Sequence, residues 1–110
     1  MDSTHYVLEK SGANIVVVDD AKQMDKVREI KKKMPHLKVV IQTREPFDES
    51  ADGFYRWEDL EQMDTSDVEE EYQKRLSEIH VNDCCSLIFT SGTTGRPKVH
   101  LRFRFSFVIE

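Results

Sequence analysis

Thr90-Ser91-Gly92-Thr93-Thr94-Gly95-Arg96-Pro97-Lys98 concentrates hydroxyls, two glycines and a lysine directly after the apolar run Leu87-Ile88-Phe89. These residue types suit a loop that wraps polyphosphate. Glycine lets backbone N–H groups turn toward anionic oxygens, hydroxyls add donors, and Lys98 brings a charge that phosphate neutralises.

The spacing discriminates between kinds of phosphate loop. A Walker loop needs glycine, four residues and then Gly-Lys-Ser/Thr opening a helix, whereas here Gly92 and Gly95 are followed by Pro97 and Lys98. Pro97 has no N–H and biases Arg96 toward extended backbone, so the chain is expected to leave the loop extended. A dinucleotide fingerprint, Gly-x-Gly-x-x-Gly, is absent as well. An ordinary polar hairpin loop is the alternative on residue types alone, because Ser, Thr and Gly are common in loops.

The elements that must position this loop form an α/β pattern. Ser86 to Phe89 reads as a strand delivering the loop to a sheet end, where nucleotide loops sit in α/β proteins. Upstream, Tyr6-Val7-Leu8 before Ser11-Gly12 reads as the end of a short helix with a glycine stop. Asn14 to Asp20 is a β-branched run, the pattern of a strand buried on both faces of a parallel sheet. Asp20 is placed to cap a helix from Ala21 to Met34, with Met24, Val27, Ile30 and Met34 as its core stripe. Pro35 ends it, and Leu37 to Ile41 is the next strand, which completes one βαβ unit.

From Thr43 to Gly53 the signal is loop. Gly53 to Trp57 reads as briefly extended before a helical turn from Glu58 to Met63. Asp67 is placed to cap a second helix through Ile79, with Val68, Tyr72, Leu76 and Ile79 on one face and Glu69-Glu70-Glu71 on a solvated one. Trp57 and Tyr72 read as packing anchors. After the loop, Val99, Leu101, Phe103, Phe105 and Phe107 alternate with polar residues, the pattern of a strand pairing back onto Ser86 to Thr90.

Composition bounds the rest. Of 110 residues 38% are hydrophobic and 34% charged, and even with the four glycines the apolar share falls short of the about 45–50% of ordinary globular chains. The net charge of −5 resides in the middle, where Glu45 to Glu71 holds twelve acidic residues against Arg56 alone. That acidity disfavours a nucleic-acid partner, and Arg102 and Arg104 read as solvated. Cys84 and Cys85, the only cysteines, fit neither disulfide nor metal spacing and read as packed small residues entering a strand of a reduced, cytoplasmic protein. His5, His36, His80 and His100 share no ligand spacing, so no metal and no catalytic residue is assigned. No stretch approaches about 20 apolar residues, so any membrane contact is expected to be peripheral.

Leu87 to Lys98 resembles the AMP-binding signature of the adenylate-forming superfamily. Tyr6-Val7-Leu8, Ala13 to Val18, Tyr55-Arg56-Trp57-Glu58-Asp59 and Asn82 to Ile88 are similar to bubblegum-type long-chain acyl-CoA synthetases. The resemblance implies that residues 1–99 are an incomplete, N-terminal part of an adenylation domain, one βαβ unit plus a strand–phosphate loop–strand, and that 100–110 are a divergent tail. It implies ATP with Mg²⁺, and CoA as co-substrate, in a fatty acid–CoA ligase located in the cytoplasm or peripherally at the endoplasmic reticulum membrane. Thr90, Ser91, Gly92, Thr93, Thr94 and Gly95 are then the phosphate cradle and Lys98 its charge.

The chain departs from that family after Lys98, where the usual glycine and Ser/Thr-His pair are missing. The aromatic-glycine adenine segment, acidic metal ligand, ribose-binding aspartate and adenylation lysine of the family are not found in it. A fragment inactive alone is therefore expected, with fatty acid and CoA as partners only in the full-length family. A noncatalytic phosphate-binding or interaction module and an inert truncated product are the alternatives.

Overall fold

The computed structural model describes residues 3–44, 52–90 and 98–103, the last six by their backbone. Two compact units divide the chain at Met63/Asp64.

The first unit is α/β. Helix α1 (Ser3–Ser11) ends where Gly12 takes φ 64°, the left-handed stop expected of a glycine there. Strand β1 (Ile15–Val18) lies parallel to the central β2 (Val39–Gln42), and β2 lies parallel to β3 (Phe54–Arg56). Helix α2 (Ala21–Lys31) connects β1 to β2 as the βαβ reading requires. Asp20 caps it: the carboxylate accepts the Gln23 N–H at 2.9 Å from extended backbone.

The core gathers Leu8, Met24, Val27, Ile30, Met34, Leu37 and Val40, with Val16, Val18 and Phe54 packed against it. Each such side chain contributes about 1.5–3 kcal/mol by leaving water. Helix α2 stops at Lys31 rather than Met34, and Met34 still reaches the core because the chain tightens there: Lys33 N–H donates to Ile30 O at 2.9 Å and Met34 N–H to Lys31 O at 3.1 Å. The expectation of a β1 buried on both faces is corrected. Val16 and Val18 face the core, whereas Ile15 is 57% and Val17 51% exposed, so β1 is covered on one face only.

Strand β3 is the brief extension expected from Gly53 to Trp57, and its pairing with β2 as a full sheet member goes beyond that expectation. Val40 N–H donates to Gly53 O at 2.8 Å, and Gly53, at φ 83°, lets the chain come in beside β2. A Cβ there would lie 2.5 Å from Lys38 O. Helix α3 (Trp57–Glu61) follows at once, its entry held by Arg56 and Asp59.

The second unit holds a 3-10 turn (Ser66–Val68), helix α4 (Glu69–Ser77) and an antiparallel pair, β4 (Cys84–Thr90) and β5 (Lys98–Phe103). Asp67 is not the cap expected of it. The Asp64 carboxylate accepts the Ser66 N–H at 2.9 Å, and α4 starts after Val68 with no side-chain cap. The stripe of Val68, Tyr72, Leu76 and Ile79 has the helical spacing expected, and every member is exposed. Tyr72 and Trp57 are accordingly not packing anchors, and the Trp57 indole N–H donates to Glu61 at 3.1 Å. Cys84 and Cys85 are exposed thiols, not the packed residues their composition suggested. None of residues 64–90 is buried.

Candidate functional site

β4 and β5 carry the candidate loop. They pair from Ser86↔Arg102 through Leu87↔Leu101, Ile88↔His100 and Phe89↔Val99 to Thr90↔Lys98. The ladder agrees with the strand expected to fold back onto Ser86 to Thr90. Apolar alternation and β-branched residues favour extended chain on both sides, and Pro97 before Lys98 disfavours a helix in the second arm.

Thr90 and Lys98 are Cα partners, the last described pair before the turn. Opposed residues in an antiparallel pair stand about 4.5–5.5 Å apart. The pairing brings the two ends of the seven-residue stretch Ser91 to Pro97 together. Of the residues singled out for phosphate, Thr90 sits exposed at the end of β4 and the Lys98 backbone opens β5. Ser91, Gly92, Thr93, Thr94 and Gly95 lie outside the described residues. The strand–loop–strand expected of the motif is thus a two-stranded antiparallel sheet, β4 with β5.

A loop rich in glycine and hydroxyl residues can do one thing well. It can present several N–H and O–H donors to one anion while the paired strands fix the two ends, and a lysine at its base adds charge. Among the described residues no group of three His, Cys, Asp or Glu is arranged to hold a metal.

A second cluster of cations, on the first unit, was not anticipated. The Arg28 guanidinium stands 5.3 Å and the Lys31 ammonium 6.0 Å from the centre of the Phe54 ring, in a cleft also lined by Glu29 and Lys32. Its charges serve the fold. Lys31 Nζ donates to Leu37 O at 2.9 Å and Lys38 O at 3.1 Å, pinning the α2–β2 turn, and Lys32 pairs with Glu29 at 2.6 Å. The only sequence signal was Arg28 and Lys31 three apart on α2, which does not show that Phe54 comes to meet them.

The shifted carboxyls are also outside the loop. The hydrogen bond from Lys32 and its charge hold Glu29 below the ordinary glutamate value. The side-chain and then the backbone hydrogen bond from Arg56 hold Asp59 below the usual aspartate value, and the Ser66 backbone N–H does the same for Asp64. Each stabilises a turn or a helix end.

Comparison with known proteins supplies the family. The model of the AMP-binding enzyme family matches residues 2–101, a span that includes β4, the loop and the first four residues of β5. The long-chain-fatty-acid–CoA ligase heimdall of Drosophila melanogaster is 46% identical over 101 residues, covering 88% of this chain and 15% of the relative. The long-chain-fatty-acid–CoA ligase ACSBG2 of Xenopus laevis is 36% identical over 97 residues, covering 88% of this chain and 13% of the relative. ACSBG1 of Rattus norvegicus, another ligase of that description, is 36% identical over 97 residues, covering 88% and 14%. The chain thus spans about one seventh of the length of these curated relatives. With a family match across nearly all of its residues, the chain belongs to the AMP-binding enzyme family.

Proposed function

We propose that this chain carries the polyphosphate-binding loop of a long-chain fatty acid–CoA ligase, and that by itself it binds nucleotide phosphate without completing the ligase reaction. The observation that supports this most is the Thr90↔Lys98 pairing, which brings the two ends of the motif together inside the span matched by the family.

In the reaction proposed for the whole enzyme, ATP and a fatty acid give an acyl-adenylate and diphosphate, and the thiol of CoA then takes the acyl group. Negative charge grows on the departing diphosphate. Backbone N–H groups of Gly92 to Gly95 and hydroxyls of Thr90, Ser91, Thr93 and Thr94 are suited to hold its oxygens, and Lys98 to neutralise it. Mg²⁺, when bound with ATP, supplies further charge neutralisation between the phosphates. Among the described residues no group of three His, Cys, Asp or Glu is arranged to hold it. The reading places the chain in the cytoplasm, with contact at the endoplasmic reticulum surface where its acyl substrate partitions. No helix among the described residues is long and apolar enough to cross a membrane.

Titration calorimetry with ATP tests binding. The wild-type chain is expected to bind, and Thr93→Ala and Lys98→Ala to weaken binding about tenfold or more, the loss of one charge-assisted contact. Equal affinity in all three proteins refutes the assignment. Diphosphate release from ATP and a long-chain fatty acid, lost in Lys98→Ala, would overturn the noncatalytic half of the reading. The uncovered stripe of Val68, Tyr72, Leu76 and Ile79 favours a second reading, an interaction module, for which the distinguishing result is a partner-dependent protection of α4 with no ATP binding.

A further inference from the structure

The first turn of β4 is irregular in a way that brings two thiols together. Cys84 pairs with Phe103 and Ser86 with Arg102, so β4 holds one extra residue between them. Residues two apart on a strand ordinarily share a face. Because Cys84 and Ser86 pair with consecutive positions of β5, they lie on opposite faces and the alternation is broken once, at a bulge. One neighbouring pair within Cys84-Cys85-Ser86 must therefore share a face. Cys84 and Cys85 both line a single cavity of about 490 Å³ with Ile79 and Asp83, and Ser86 does not line it. The bulge thus presents the two cysteines side by side.

Both are exposed thiols outside any disulfide. The Cys84 thiol donates weakly to Ser86 O at 3.6 Å, a contact that a ligand can displace. The neighbouring Asp83 carboxylate already accepts the His80 N–H at 2.7 Å and closes the turn before β4. The cavity therefore offers two soft sulfurs on an apolar wall, not the three or four mixed ligands of a zinc site.

We propose that Cys84 and Cys85 form a vicinal dithiol site for a thiophilic centre with two exchangeable ligand positions, the chemical class being a trivalent organoarsenical. Two As–S bonds form and two As–O bonds of the arsonous acid break. The two thiol protons leave with the hydroxides as two waters, and no atom changes oxidation state. Once one sulfur is bound the second attacks intramolecularly, so the adduct gains the effective-concentration advantage of a chelate.

The test uses phenylarsonous acid and the full 110-residue chain, read by intact mass. The expected product carries one phenylarsenic with loss of two waters, survives an excess of monothiol and is released by a dithiol. Cys84→Ser and Cys85→Ser should each lose the monothiol-resistant adduct while keeping the circular dichroism of the parent. An adduct that monothiol removes, or one that persists in either variant, overturns the proposal. The peptide Asp83-Cys84-Cys85-Ser86 serves as a second comparison that needs no variant to fold. The chain should retain the probe at least tenfold more tightly than this peptide, and equal retention would mean that the bulge contributes nothing.

Discussion

Replacing Gly53 by alanine separates two kinds of backbone constraint, because a second glycine in the same unit shares only one of them. Gly53 has φ 83° and Gly12 has φ 64°, so both substitutions incur left-handed strain, about 1–3 kcal/mol each. At Gly12 the added Cβ meets nothing within 4 Å, whereas at Gly53 it would stand 2.5 Å from the backbone oxygen of Lys38. That oxygen belongs to the segment entering β2 and accepts from Lys31 Nζ, so it has little room to retreat. The chain must move at Gly53, and the Val40 N–H to Gly53 O bond, 2.8 Å long, is what gives. Its loss adds about 0.5–1.5 kcal/mol.

The total for Gly53→Ala is then about 2–4 kcal/mol, a large share of the roughly 3–9 kcal/mol that a unit of this size holds. Thermal unfolding followed by far-ultraviolet circular dichroism, with Trp57 fluorescence as local reporter, should show a fall of roughly 10–25 °C. Gly12→Ala should fall by no more than about half as much. Equal shifts for the two variants would refute the role given to the Lys38 carbonyl, and no shift in either would refute the positive-φ argument itself.

Further expectations follow from the same geometry. Asp20→Ala removes the acceptor of the Gln23 N–H and should cost about 1 kcal/mol, with Asp20→Asn recovering most of it; an unchanged denaturation midpoint counts against the cap. Met24→Ala, at a site 1% exposed, should cost about 2–5 kcal/mol in urea unfolding, and less than about 1 kcal/mol would show that α2 does not pack as described. Tyr72→Ser and Leu76→Ser, on the exposed stripe, should each stay within about 0.5 kcal/mol of the parent while raising solubility; a large loss would mean the stripe is buried in solution. Asp59 is held below its unfolded value of about 3.9, so its contribution is complete above that value and is lost as pH falls through the lower folded one. The Asp59 carboxyl carbon should titrate below the ordinary aspartate midpoint in NMR, and a normal midpoint removes the Arg56–Asp59 cap from the account of α3.

What could be read from the chain depended on how local each signal was. The Asp20 cap and the Met24, Val27, Ile30 stripe require only neighbours three or four residues away, and both are found. Strand β3 depends on Gly53 meeting β2, a nonlocal event that three residues, Phe54-Tyr55-Arg56, cannot signal by periodicity. Asp67 looked like a cap because it precedes an apolar stripe, but Asp64 captures the Ser66 amide first and starts a 3-10 turn instead. Composition made the cysteines seem buried, since it cannot report a bulge. For the loop, the alternation after Pro97 foretold the antiparallel return and hence the facing of Thr90 and Lys98, while the arrangement of Ser91 to Gly95 falls outside the described residues.

The phosphate motif is mounted on a unit in which none of residues 64–90 is buried. An isolated two-stranded hairpin is marginally stable at best in water. On the function proposed above, a nucleotide gripping the loop must supply the free energy that holds β4 against β5, and its apparent affinity scales with the fraction of molecules already zipped. A hairpin formed one tenth of the time weakens binding about tenfold. A partner covering exposed Leu87 or Ile88 of β4 would return that factor without touching the nucleotide, a thermodynamic control on the loop exerted through the strands that carry it.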